Sequence, residues 1–242
     1  MLLKNKFLII AATHGDETIG LKIIEYLKGF PLKDKFDSLI GNPEALKRKR
    51  RFIDVDLNRA YPGKNKSLSY EETRAREILK IAKRYKYIID IHQTISSSEN
   101  IIIVPHKKIV DENIKRIRIN KIILWPSTSG RKTGSLAQFL PNCLEVEIGT
   151  KGRKTKEIVS SISKLIIDFI NSFEKKEMSS GNKKIYLVYG KLMKNEYQGK
   201  QLKDFKKIRI KSETFVPLLV NQYLKNGILC YKMRPVYCGK KY

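Results

Sequence analysis

The chain has little cysteine, no long apolar run and too few acids for its bases. Its three cysteines, Cys143, Cys230 and Cys238, are odd in number and nowhere spaced Cys-x-x-Cys. That excludes a disulfide framework and a thiolate metal site, and Cys143 reads instead as a buried strand residue. No apolar stretch approaches the roughly 20 residues needed to cross a bilayer. The opening Met1-Leu2-Leu3-Lys4-Asn5-Lys6 leads straight into a strand without the pattern of a signal peptide, so a cytoplasmic protein with no membrane partner is expected. Internal repeats and low-complexity tracts are also missing. With 242 residues, 41% of them hydrophobic, the chain suffices for one large domain, or one domain with a small appendage, around a proper core.

The shortage of acid is pronounced: 24 Asp and Glu face 50 Lys and Arg, a formal net charge of +26. Such a field favours nucleic acid, acidic membrane or a carboxylate substrate without choosing among them. The bases are spread along the whole length, and the densest cluster, Lys47-Arg48-Lys49-Arg50-Arg51, is short. No helix-turn-helix, RNA-recognition or zinc-finger pattern accompanies them. A nucleic-acid partner is therefore not expected, and most of these charges are assigned to a solvated surface.

What the chain does have is a repeated arrangement of apolar run followed by histidine. Phe7-Leu8-Ile9-Ile10-Ala11-Ala12 has the length and content of a fully buried strand, and Thr13-His14-Gly15-Asp16-Glu17 begins where it ends. Ligands of open α/β sheets gather at that end. Gly15 lets the backbone turn, so that His14 and Glu17 can face one ion. Ile19, Ile23, Ile24 and Leu27 then repeat with helical period until Gly29 and Pro31. Tyr87 to Ile91 forms a second buried strand that delivers His92 to the same edge. Two His and one Glu, with a position left for water, is the ligand set of a catalytic zinc. Asp90 either orients a ligand from behind or ends the strand.

Leu144 to Gly149 is a further strand, in which Glu145 and Glu147 share one face among apolar neighbours. That is costly without a reason. A general base is such a reason for Glu147, while Glu145 is read as structural, paired with a basic neighbour. Between these strands the loop-like segment Arg51 to Gly63 carries Arg51 and Arg59 with Asn58 alongside, planar donors suited to carboxylates. Ser69-Tyr70-Glu71-Glu72 has the spacing of a capping box opening a helix that runs through Tyr85. Strands are expected at Asn100 to Pro105 and Lys121 to Trp125, and a helix at Lys156 to Phe173. The third histidine, His106, followed by Lys107 and Lys108, reads as a surface residue. Glu177 to Lys183 reads as a linker, and the short strands beyond it as a small β-rich appendage.

With His14-x-x-Glu17, Asn42-Pro43-x-Ala45, Arg51, Asp56-Leu57-Asn58-Arg59, Asp90-x-His92 and Glu147-Ile148-Gly149 in this order, the chain resembles the succinylglutamate desuccinylase and aspartoacylase family, which belongs with the zinc carboxypeptidases. The resemblance covers about residues 6–150, and the appendage only loosely, through Phe215-Val216-Pro217-Leu218 and Arg234-Pro235-Val236. It implies a three-layer α/β/α zinc carboxypeptidase-like domain with a central mixed sheet over residues 1–178, and a small β-rich C-terminal domain over 179–242. It further implies one Zn²⁺ per chain on His14, Glu17 and His92, with Glu147 as general base toward a zinc-activated water and Arg51 polarising the scissile carbonyl. Asn58 and Arg59 would hold the carboxylate of a small anionic substrate. The activity implied is removal of an acyl group from an N-acyl amino acid or related small amide. A carboxypeptidase-like peptide hydrolase, another ester or amide deacylase, and an inactive polyanion-binding protein stand as alternatives. In two places the chain departs from the family. The family's substrate-binding arginine, ten residues before the catalytic Glu, is Ala137 here, with Arg131 and Lys132 only nearby. Its C-terminal tyrosine has an approximate counterpart in Tyr242. The appendage is also shorter than is typical, which implies a less covered pocket and a larger substrate.

Overall fold

Three apolar runs form the parallel part of the sheet that carries the histidines. In the computed structural model, which describes residues 4–32, 34–105, 112–126, 132–175 and 182–236, they are β1 (Lys4–Ala11), β3 (Tyr85–Thr94) and β6 (Cys143–Gly149), paired in parallel in that spatial order. Parallel strands buried on both faces need this near-continuous apolar content. Cys143 is buried, as expected. On one face α1 (Ile19–Lys28) and α6 (Thr155–Lys175) enclose Ile9, Ile23, Leu27, Val146 and Phe169. On the other, α3 (Tyr70–Ala82) and α5 (Leu136–Phe139) cover Leu8, Ile10, Ile78 and Leu136. The result is the α/β/α layering that the resemblance implies, completed by the short helices α2 (Pro43–Lys47) and α4 (Glu112–Arg116).

At one edge β2 (Phe36–Ile40) runs parallel to β1. Beyond β6 the sheet becomes mixed, because β4 (Ile101–Val104) is antiparallel to it and parallel to β5 (Lys121–Leu124). The C-terminal strands β7 (Lys184–Met193), β8 (Ile208–Ile210), β9 (Glu213–Leu218) and β10 (Ile228–Val236) extend the same sheet to ten strands, in the order β2-β1-β3-β6-β4-β5-β7-β10-β9-β8. The first half of β7 pairs with β5. One apolar cluster joins Ile101 and Ile123 to Val188, Val216, Leu218 and Met233, so the C-terminal strands share hydrogen bonds and core with the strands before them. The boundary expected at 178/179 falls among residues 176–181, which lie outside the described residues, as do His106, Arg131 and Tyr242. Among the described residues no helix is long and apolar enough to cross a membrane.

The capping box is a correction. Ser69 occupies the N-cap of α3 but its side chain makes no capping bond. Glu71 turns away to a segment 16–18 residues earlier. Its Oε1 accepts from Ile53 N at 2.6 Å and from Asn42 Nδ2 at 3.0 Å, and its Oε2 from Asp54 N at 3.0 Å and Val55 N at 3.2 Å. The physical reason is that this irregular segment has no ladder to satisfy its N–H groups, and a buried carboxylate does so instead. Burial pushes the Glu71 carboxyl up, but the four donors outweigh it and hold its pKa below the ordinary glutamate value. A tertiary anchor, invisible to local spacing, therefore holds the loop that carries Arg51, Asp56 and Asn58.

Glu71→Gln conserves volume but places an amide NH₂ against two N–H donors whichever way it flips. We expect a loss of about 2–4 kcal/mol in denaturant unfolding. Because the folded pKa is lowered, the stabilisation is complete above about pH 4.5 and is lost as pH falls through the folded value. The gap between variant and parent should therefore be constant near neutrality and close on acidification. A variant as stable as the parent at pH 7 would contradict the anchoring.

Candidate active site

β1 stops at Ala11, and Ala12 takes a left-handed φ of 54°, turning the chain beneath α2. Gly15 sits so close to that helix that a Cβ would lie 2.2 Å from the Ala45 carbonyl carbon; no other residue fits there. The Gly15 N–H donates to Arg51 O at 3.2 Å. Asn42 holds the other side, with Oδ1 accepting from Ala45 N at 3.0 Å as the cap of α2 and Nδ2 bound to Glu71. The Asn42-Pro43 motif thus fixes α2, and α2 fixes the loop bearing His14 and Glu17.

Nδ1 of both histidines converges on one carboxylate. His14 Nδ1 lies 2.8 Å from Glu17 Oε1, and His92 Nδ1 lies 3.2 Å from Glu17 Oε2. The ligating atoms of the three residues are all within 4.8 Å of one another, and all three side chains are buried. Behind each ring stands a second carboxylate. His14 Nε2 is 2.9 Å from Asp56 Oδ1. His92 Nε2 is 3.3 Å from Asp90 Oδ2, without hydrogen-bond geometry, and remains an unpartnered buried atom. Asp90 does not end the strand, since β3 continues to Thr94. Its Oδ1 accepts from Thr13 Oγ1 at 2.8 Å.

Electrostatics follow from this crowding of carboxylates. Burial lowers the His14 pKa, but Glu17 and Asp56 outweigh it and the net shift is upward; His92 rises well above the ordinary value in the same way, through Asp90 and Glu17. Burial raises the Glu17 carboxyl, yet the two imidazoles hold it well below its usual range. A divalent cation fits this donor set: two imidazole nitrogens and a carboxylate, free of thiolate, are ligands of catalytic zinc. A carboxylate behind a ligating imidazole sets its tautomer and raises its basicity.

All seven residues singled out from the sequence line one cavity. Arg51 donates from Nη1 to Glu17 Oε1 at 3.0 Å, with Nε 3.6 Å from Asp56 Oδ2. Glu147 stands beside His92 in the β3–β6 register, and burial, followed by the neighbouring Glu17 charge, raises its carboxyl to about 7. Glu145 is a second correction. Its hydrogen-bond partner is not a base but the Asn58 amide, whose Nδ2 donates to Oε1 at 3.1 Å. The turn Leu57–Arg59 lays Asn58 against that face of β6, and the shared face seen in the sequence could not reveal it. Arg59 is exposed and donates to the Asn58 carbonyl at 2.8 Å.

Other lining residues escaped the sequence reading. Tyr223 and Gln222 follow β9, while Lys191 lies on β7 and Tyr231 on β10, so the C-terminal strands supply much of one wall. Burial and the Glu147 charge both raise the Tyr223 hydroxyl pKa. Tyr223 sits in an irregular turn with no pattern to mark it. Asp56 did lie within a recognised motif, and its acidic neighbourhood with Arg51 was the available signal. Ala137 is buried in the core beside Leu136, while the adjacent Gln138 lines the cavity.

Comparison with known proteins agrees with this geometry. The family model for the succinylglutamate desuccinylase/aspartoacylase catalytic domain matches residues 4–172. A probable aspartoacylase of Trichodesmium erythraeum (strain IMS101) is 34% identical over 104 residues, 37% of this chain and 36% of that protein. One of Prochlorococcus marinus (strain NATL1A) is 29% identical over 180 residues, 66% of this chain and 59% of that protein. The matched stretches thus span about a third to three fifths of these relatives' own length. Among solved structures, murine aminoacylase 3 superposes with a TM-score of 0.75 at 20% identity, covering 97% of this chain and 96% of that one. The succinylglutamate desuccinylase of Chromobacterium violaceum gives 0.74 at 16% identity, covering 98% and 86%. These likenesses carry the fold, and the family-model match spans every residue that closes around Glu17: the chain belongs to the succinylglutamate desuccinylase/aspartoacylase family.

Proposed function

We propose that the protein is a zinc-dependent amidohydrolase that removes the acyl group from an N-acyl amino acid or a related small amide. The observation that carries this reading is the convergence of His14 Nδ1 and His92 Nδ1 on Glu17, in a cavity that the Glu147 carboxylate also lines. His14, Glu17 and His92 would hold one zinc, which supplies a Lewis acid for the carbonyl and brings the pKa of water down to about 7. Glu147, beside His92 on the cavity wall, takes the proton of the attacking water and returns it to the leaving amine. Arg51 brings a fixed positive charge to the oxyanion that forms at the carbonyl. Asn58 and Arg59 hold the substrate carboxylate and so align the amide, with Glu145 keeping the Asn58 amide oriented.

Residues 1–178 form the catalytic domain in this account, and 179–242 a small β-rich domain that walls the cavity. The net charge of +26 raises the encounter rate with a small anionic substrate. A cytoplasmic location accords with this role.

Glu147→Gln should lower turnover of N-acyl amino acids about 10²–10⁴-fold, while zinc content stays at one per chain. His92→Ala should lose the metal as well as the activity. Chelator-resistant hydrolysis, or substantial activity in Glu147→Gln, would overturn the assignment; salt-sensitive binding of polyanions without turnover of any amide would favour a binding protein instead.

A further inference from the structure

β1 stops opposite Ile91, so the next N–H of β3 on that side, the one on Gln93, has no β1 carbonyl to meet. The Glu17 carboxylate takes that place. Gln93 N donates to Glu17 Oε2 at 3.0 Å, the same oxygen that His92 Nδ1 meets at 3.2 Å. Gln93 then reaches back with its side chain, and its Oε1 accepts from Ile19 N at 3.1 Å. Ile19 opens α1, whose N-cap residue, the exposed Thr18, makes no side-chain capping bond. One half-buried residue of β3 thus grips the segment 17–19 at two points, the carboxylate of Glu17 and the first turn of α1. Arg51 Nη1 holds the other oxygen of Glu17 at 3.0 Å.

Gly20 leaves this seat little slack. A Cβ there would lie 2.8 Å from Ala11 Cβ and 3.2 Å from Ile91 Cγ2, so α1 begins in contact with both strands that deliver the histidines. The His14-x-x-Glu17 spacing sets Glu17 relative to His14, but His92 is 75 residues away from Glu17. The tie from α1 to the end of β3 supplies that missing constraint. A glutamate held in advance has little rotamer freedom left to lose when a cation arrives.

Resting on the zinc reading above, we propose that Gln93 is a positioning residue for the metal: it locks the start of α1 to the end of β3 and so presets the Glu17 carboxylate opposite His92.

Zinc affinity of the full chain, measured by competition with a chelator, tests this apart from turnover. Gln93→Leu removes the acceptor for Ile19 N and should weaken zinc binding about 10–100-fold. Adding Thr18→Asn gives α1 an ordinary cap; it should recover melting temperature but not zinc affinity, because the cap no longer belongs to β3. Gly20→Ala, which keeps Gln93 but displaces the start of α1, should weaken zinc binding as well. Parent-like affinity in Gln93→Leu or in Gly20→Ala, or affinity restored by Thr18→Asn, would overturn the proposal and leave Gln93 a helix cap. If the parent itself takes up no zinc, the metal reading fails and amide exchange of the metal-free chain decides. Faster exchange at residue 93 in Gln93→Leu, where Glu17 holds the N–H, would show the carboxylate released and support the tie; unchanged exchange there would overturn it.

Discussion

Glu17 sits almost out of water between two imidazoles, and much of the molecule exists to make that tolerable. A buried carboxylate without partners costs several kcal/mol or more, yet here Asp56 and Asp90 add further negative charge within reach of the same rings. Arg51 offsets part of it through its contacts to Glu17 and Asp56. The remainder is a site whose protein groups alone are too negative, which shows in the upward shifts of both imidazoles and in the raised carboxyl of Glu147. A divalent cation held by His14, Glu17 and His92 would offset this charge, and their nitrogen and oxygen donors are of the kind that zinc takes. The parallel order β1-β3-β6 follows from the same need, because it sets the loop after β1, His92 and Glu147 at one edge of the sheet.

Those central strands were legible because parallel, doubly covered strands require long apolar runs, and runs ending in His14 and near His92 stand out against a highly charged background. The residues behind the rings were less so. Asp56 and Glu71 act across 42 and 16–18 residues, and a carboxylate beside a helix start looks the same in sequence whether it caps that helix or anchors a distant loop. Glu145 was correctly placed on the face of Glu147, but the face alone does not name the partner, which proved to be Asn58. The aromatic residues that line the cavity were least visible. Trp125 follows β5, Tyr223 sits in the turn after β9 and Tyr231 lies on β10, and they meet because β7 joins β5 and β10 joins β7.

That joining also changes how the C-terminal strands are understood. A short appendage implies an open pocket, yet Lys191, Leu219, Gln222, Tyr223 and Tyr231 all border the cavity. Among the described residues, this wall of the site carries the Tyr223 and Tyr231 rings and the exposed Lys191, while Ala137 is buried within α5. Positive charge at the site is concentrated at Arg51 and Arg59, and most of the other bases lie on the surface, where isolated ion pairs add little stability. Their joint effect is a long-range field that favours anions in general.

Anomalous diffraction at the zinc edge, from crystals grown with the metal, tests the central claim most directly. The account predicts one strong peak bounded by His14 Nδ1, the Glu17 carboxylate and His92 Nδ1, at about 2.0–2.2 Å from each ligand atom. A cavity without a peak, or an ion held by other residues, would contradict it.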